Sequence, residues 1–153
     1  MLAITEVDIY TDGACSGNPG VGAWAAILSF GGNEKELVGA VEHTTNNRME
    51  LSAVIEALAA LKFPCKVNLY SDSAYVVNAI NQDWLENWKR RNWKNAANQP
   101  VSNQDLWQAL DQQLHIHDVT FIKVKGHDSH VYNNRCDELA VRAVRNFKEE
   151  HGL

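Results

Sequence analysis

Apolar and polar positions alternate near the start of the chain, with Val7, Ile9 and Thr11 set against Asp8, Tyr10 and Asp12. A period of two marks a half-buried strand, expected over residues 4–12. Glycines at 13, 17, 20 and 22 read as a turn after it. A second strand is expected from about Trp24 to Phe30 and a third from about Glu36 to Val41, with Gly31-Gly32-Asn33 as the hairpin signal between them. The period then changes. Leu51, Val54, Ile55, Leu58 and Leu61 recur as on one face of a helix, with Asn46 or Asn47 as its N-cap and Pro64 as its stop. Lys66 to Ser71 is a fourth strand, reached through a helix and so expected to run parallel to the first. Ser73 caps a helix carrying Tyr75, Val76, Val77 and Ile80, and a tryptophan-rich segment follows from Trp84 to Lys94. After a loop at Asn98-Gln99-Pro100, Asn103 caps a helix with Leu106, Trp107, Leu110 and Leu114 on one face. Val119 to Val124 is a fifth strand, Lys125 to Asn133 a polar loop, and Leu139, Ala140, Ala143, Val144 and Phe147 mark a final amphipathic helix.

This order predicts a mixed α/β fold: one five-stranded sheet, opening with an antiparallel meander and flanked by helices. With no internal repeat and no linker, the 153 residues are expected to form a single domain, 1–153. An apolar content of 45% supports a sizeable core. No run of roughly 18 apolar residues is present, so no membrane span is expected. The N-terminus lacks a secretory pattern. The three cysteines, 15, 65 and 136, form no CxxC pair, and the expectation is a cytoplasmic protein with reduced thiols. A monomer is expected, because the sequence offers no spare apolar surface that suggests a larger assembly.

Charge changes the picture. The formal charge of −5 speaks against a nucleic-acid partner, because phosphates need a positive surface. Two features offset it. Cations are bunched at Lys89, Arg90, Arg91 and Lys94, interleaved with Trp84, Trp88 and Trp93, as suits a sugar-phosphate backbone or stacked bases. The other offset lies in the acids, since a carboxylate cluster loaded with divalent ions is far less negative. Asp12 and Asp72 close the first and fourth strands, which are expected to be sheet neighbours, while Glu50 leads the helix between them and Asp137 opens the last helix. Four carboxylates in one pocket repel unless a cation is present, and oxygen-only ligands select Mg²⁺ or Mn²⁺. Two such ions ~4 Å apart suit in-line phosphoryl displacement. His127, in a polar loop before Asp137, can move protons near neutral pH. His115 and His117, at a helix end, read as surface residues.

The motifs that carry the chemistry resemble those of the bacterial type-1 ribonuclease H family over nearly the whole chain. They are Tyr10-Thr11-Asp12-Gly13 with Gly17-Asn18-Pro19-Gly20, Thr44-Thr45-Asn46-Asn47-Arg48-Met49-Glu50-Leu51, Ser71-Asp72-Ser73, Val124-Lys125-Gly126-His127, and Asn134-Arg135-Cys136-Asp137-Glu138-Leu139-Ala140. The resemblance implies a ribonuclease H-like fold and metal-dependent hydrolysis of the RNA strand of RNA–DNA hybrids, leaving 5′-phosphate and 3′-hydroxyl ends. It makes Asp12, Glu50, Asp72 and Asp137 the ligands of two Mg²⁺ ions and gives His127 a part in proton transfer or product release. It places Cys15, Asn18, Asn46 and Asn47 in the hybrid's minor groove, where the 2′-hydroxyl tells RNA from DNA. Thr45 and Asn87 would hold a DNA-strand phosphate, and Trp84, Trp88, Lys89, Arg90, Arg91 and Lys94 would grip that strand. Ala74 stands where members often carry a groove-reaching Gln, and His43 where an Arg commonly joins the phosphate pocket. These departures and the acidic balance imply weaker hybrid binding with the chemistry retained.

Other readings fit less well. A non-catalytic hybrid or duplex-RNA binding module would gain from more basic surface and has no use for the acids. A glycosidase needs two carboxylates and no metal. A transposase or integrase relative would normally bring further DNA-binding domains.

Overall fold

The computed structural model describes residues 4–125 and 131–153. Ten elements follow one another along the chain: β1 (Glu6–Gly17), β2 (Gly20–Phe30), β3 (Asn33–Thr44), α1 (Asn46–Ala59), β4 (Lys66–Ser71), α2 (Ala74–Asn81), α3 (Trp84–Arg90), α4 (Gln104–Ile116), β5 (Asp118–Lys123) and α5 (Val131–His151). The sheet order is β3-β2-β1-β4-β5. The first three strands form the expected antiparallel meander, and β4 pairs in parallel with both β1 and β5.

The strand alternation sorts side chains onto two faces. Ile9, Leu28 and Leu69 join Leu51, Val54 and Leu58 of α1, together with Trp107 and Leu110 of α4, in the larger core. Tyr10, Ala25 and Ile27 face the other way, onto Cys136 and Ala140 of α5. Asp12 shares its parity with Tyr10, and so lies on the α5 face of β1. Among the described residues, no helix is long and apolar enough to cross a membrane.

Four local expectations are corrected. The glycine-rich stretch is not one long turn: β1 continues through Gly17, and only the short link to Gly20 reverses the chain. Gly13 lies inside the strand because α1 lies directly against it; a Cβ there would meet the Glu50 nitrogen at 2.6 Å. The N-cap of α1 is Thr45, not Asn46 or Asn47; its hydroxyl accepts from the Arg48 amide at 3.3 Å. α5 is already helical at Val131, so Asp137 sits well inside it and does not open it. His117 is not a surface residue. It is buried, and its Nδ1 accepts from the buried Cys65 amide at 3.1 Å, tying the end of α4 to the start of β4.

Candidate active site

The parallel pairing of β1 with β4 puts the ends of both strands side by side, and each end carries an acid. Asp12 follows the last paired residues, Tyr10 and Tyr70, and Asp72 follows Ser71. α1 returns across the larger core, and the absence of a side chain at Gly13 lets its first turn approach β1 closely. That contact brings Glu50 over the strand ends. Oxygens of Asp12, Glu50 and Asp72 all lie within 4.8 Å of one another. Asp137 of α5 lines the same polar cleft, of about 370 Å³, together with Asn46, Asn47 and Ala74.

The electrostatics show how costly this cluster is without a counter-ion. Asp12 and Glu50 are both buried. Burial is the main cause that pushes the Asp12 carboxyl up to about 7, with the Asp72 charge adding to it. Burial likewise holds Glu50 well above the usual carboxylate range, reinforced by the charges of Asp12 and Asp72. The Gly13 amide donates to both, at 2.9 Å to Oδ1 of Asp12 and 2.9 Å to Oε1 of Glu50. The other Glu50 oxygen, Oε2, is buried and has no donor among the described residues. An orphaned carboxylate oxygen beside two further carboxylates is the donor set of a hard divalent cation. The residues therefore fit the metal that their pattern implies.

Next to the acids, the turn between β1 and β2 meets the start of α1. Oδ1 of Asn18 accepts from the Asn46 amide at 3.1 Å. The Cys15 thiol, partly exposed, points to the Thr44 carbonyl at 3.4 Å. Asn46 and Asn47 line the cleft, and these two contacts join Cys15 and Asn18 to the entry of α1 beside it. Ala74, at the start of α2, lines the cleft with only a methyl group, while His43 is exposed on β3.

The α3 region divides by role. Trp84 is partly exposed and Trp88 half-buried, and both line a smaller cleft with Tyr75. Lys89 is engaged within the protein, 3.1 Å from Asp111 of α4 and 3.5 Å from Glu86. Asn87 accepts from Arg90 at 3.2 Å. Arg91 and Lys94 are exposed and make no ion pair among the described residues. His127 lies outside the described residues. The sequence reading passed over Gly13 as a site residue, although its place directly after Asp12 was the signal, and it had no signal for Tyr75, which lines both clefts.

The acid cluster thus lies at the ends of β1 and β4, in the middle of the sheet. Residues 5–145 match the family model described as RNase H. The chain is 61% identical to a ribonuclease H of Symbiobacterium thermophilum over 91% of this chain and 95% of the relative. It is 59% identical to one of Chlorobium phaeobacteroides over 92% of this chain and 97% of that one. Among solved structures, a type 1 RNase H with the type 2 active-site motif superposes at a TM-score of 0.84 and 29% identity, over 95% of this chain and 75% of that one. An RNase H in complex with RNA/DNA hybrid shares the fold at a TM-score of 0.71 and 22% identity, over 92% of this chain and 97% of that one. The chain belongs to the ribonuclease H family.

Proposed function

We propose that this chain hydrolyses the RNA strand of RNA–DNA hybrids by a two-metal-ion mechanism, with Mg²⁺ as the working ion and Mn²⁺ able to replace it. The observation that carries the reading is the cluster of Asp12, Glu50 and Asp72, whose oxygens lie within 4.8 Å of one another. When bound, paired divalent ions supply a hydroxide nucleophile and neutralise the departing oxygen.

The chain's own residues do the rest. Asp12, Glu50, Asp72 and Asp137 would hold the ions, and the Gly13 amide keeps the first two carboxylates in register. Asn46 and Asn47 face the cleft from the first turn of α1, where they can meet ribose 2′-hydroxyls and base edges in the minor groove. Cys15 near the end of β1 and Asn18 in the link that follows approach the groove beside them. Thr45 and Asn87 hold a phosphate of the DNA strand, and Trp84, Trp88, Arg90, Arg91 and Lys94 carry that strand along α3. Lys89 serves that grip through its ion pair with Asp111, which fixes α3 on α4. His127 assists proton transfer or product release. Products carry 5′-phosphate and 3′-hydroxyl ends. The chain acts as a single domain and a monomer in the cytoplasm, where clearing hybrids during DNA replication would be its task.

The test is a panel of end-labelled substrates: an RNA–DNA hybrid, single-stranded RNA, duplex RNA and duplex DNA, each with Mg²⁺. The expected result is cutting of the hybrid's RNA strand alone. Cutting of duplex DNA, or binding of the hybrid without cutting, would contradict the reading.

A further inference from the structure

Three tyrosine rings stack in a row close to the acid cluster. Tyr10 of β1 and Tyr70 of β4 are partners in the parallel register, and each stands two residues before a carboxylate, Asp12 or Asp72. Both rings pack on the α5 side of the sheet. Their centroids are 4.9 Å apart and their planes 14° from parallel. Tyr132, in the first turn of α5, continues the row, its ring 4.4 Å from that of Tyr10 at an angle of 16°. The Arg135 guanidinium lies over the Tyr132 ring, 5.5 Å from its centroid. Arg135 is tied in turn to β3, 2.9 Å from Oε2 of Glu34 and 2.8 Å from Oε2 of Glu36.

The four acids reach the cleft on separate elements, and those elements are not held alike. β1 and β4 are joined by their ladder, and α1 is joined to β1 through the Gly13 amide. α5 has no ladder, and a helix packed on a sheet can slide by small amounts, carrying Asp137 with it. Two hydrogen bonds reach from its first turns to the same two tyrosines. The Cys136 thiol donates to the Tyr10 carbonyl at 3.3 Å, and Nδ2 of Asn133 to the Tyr70 carbonyl at 3.4 Å. A thiol is a weak donor and the amide bond is long, so neither fixes the helix sharply. The ring stack has a preferred spacing and offset, and the Arg135 fork onto two glutamates has a direction. Together they hold the turn from which Asp137 projects.

We infer that Tyr132 is a positioning residue: stacked on Tyr10 and held by Arg135, it sets where Asp137 stands relative to Asp12 and Asp72, and through that the affinity of the cleft for divalent ions. The inference rests on the metal-dependent reading and deepens it. Tyr132 does not line the acid cleft; it acts through the backbone of α5.

The test uses the whole chain and has two readouts. One is the Mg²⁺ concentration that gives half-maximal single-turnover cutting of a saturating RNA–DNA hybrid. The other needs no substrate: Mn²⁺ binding to the free protein, followed by the paramagnetic resonance signal of the unbound ion. Tyr132→Leu fills part of the space without a flat ring, whereas Tyr132→Phe keeps the ring and loses only the hydroxyl. Tyr132→Leu is expected to need about tenfold more Mg²⁺ and to bind Mn²⁺ about tenfold more weakly, the usual scale when support behind a metal ligand is lost. At saturating Mg²⁺ its KM for the hybrid should match the wild type, and Tyr132→Phe should match the wild type throughout. A merely structural role would lower Tm and move neither metal midpoint. If either midpoint of Tyr132→Leu stays at the wild-type value, the inference is overturned, whatever Tm does. Equal weakening in Tyr132→Phe would overturn it too, by tracing the effect to the hydroxyl. Should Tyr132→Leu fail to fold, Arg135→Gln carries the same test, with the same shifts expected and the same result overturning it. A wild type that binds Mn²⁺ but cuts no hybrid would instead remove the functional reading, with the metal readout still standing.

Discussion

The amide of Gly13 donates to Oε1 of Glu50 at 2.9 Å, joining β1 to α1 at the centre of the acid cluster. The bond exists because nothing stands between the two backbones. A Cβ at position 13 would lie 2.6 Å from the Glu50 nitrogen and 2.8 Å from the Met49 carbonyl carbon. Gly13→Ala should therefore push the first turn of α1 away from Asp12. A displacement near an ångström is expected to lower kcat by about a hundredfold, with a stability loss of ~1–3 kcal/mol. Single-turnover cleavage and urea unfolding measure the two effects, and an Ala variant with wild-type kcat would refute the close-approach account.

The acid cluster makes a pH-dependent statement about the metal-free protein. Asp12 is raised to about 7, and Glu50 is raised well above its ordinary value. A carboxyl whose pKa is higher folded than unfolded is disfavoured by the fold in its ionised form. The metal-free protein should thus lose stability as pH rises from about 4, where unfolded carboxyls ionise, through about 7 and beyond. The expected fall in Tm is on the order of 5 °C from this source, recovered by Mg²⁺ at neutral pH. Asp12→Asn should flatten the fall. Thermal melts across pH, with chelator and with Mg²⁺, measure this without any substrate. A metal-free protein whose Tm rose across this range would contradict the assignment.

How much of this was legible beforehand depended on whether the cause was local. The alternation around Ile9, the Gly31-Gly32 hairpin and the stripe through Leu51 and Leu58 are local patterns, and the elements they predict are present. Lys66–Ser71 matches β4 end for end, and Ser73 caps α2 as expected. Gly13 was misread because a glycine next to other glycines reads as a turn, whereas its role is set by α1, dozens of residues away. α1 is capped by Thr45 rather than by either asparagine, and the Asn46 backbone amide bonds Asn18, which only the folded hairpin brings near. The burial of His117 depends on Cys65 and was invisible for the same reason. The motif acids themselves were legible as a set because their residue type is explained by chemistry and not by packing.

That buried histidine yields a stability test separate from the site. His117→Ala leaves the Cys65 amide without its acceptor and should cost ~1–3 kcal/mol. Cleavage per folded molecule should not change, because His117 lies near the start of β4, at the opposite end of that strand from Asp72. A urea midpoint unchanged from wild type would show that the hydrogen bond does not matter.

The cations of the α3 region should separate by how they are already engaged. Lys89 is held by Asp111 and Glu86, so Lys89→Ala is expected to lower stability by up to ~1 kcal/mol and to leave the salt dependence of hybrid binding nearly intact. Arg91 and Lys94 have no ion pair among the described residues. Replacing either by Ala should raise KM and reduce the slope of log affinity against log salt by about one. Binding titrations at several salt concentrations distinguish the two behaviours. A larger loss of slope for Lys89→Ala than for Arg91→Ala would reverse the assignment.

The central claim is that Asp12, Glu50, Asp72 and Asp137 cut RNA by holding divalent ions. Its most direct test is cleavage of one end-labelled RNA–DNA hybrid by the wild type and by Asp12→Asn, each with Mg²⁺ and with chelator. The account expects cutting only by the wild type with Mg²⁺, and a loss of at least about a thousandfold in Asp12→Asn with hybrid binding retained. Cutting that survives the chelator, or an Asp12→Asn variant that remains active, would contradict it.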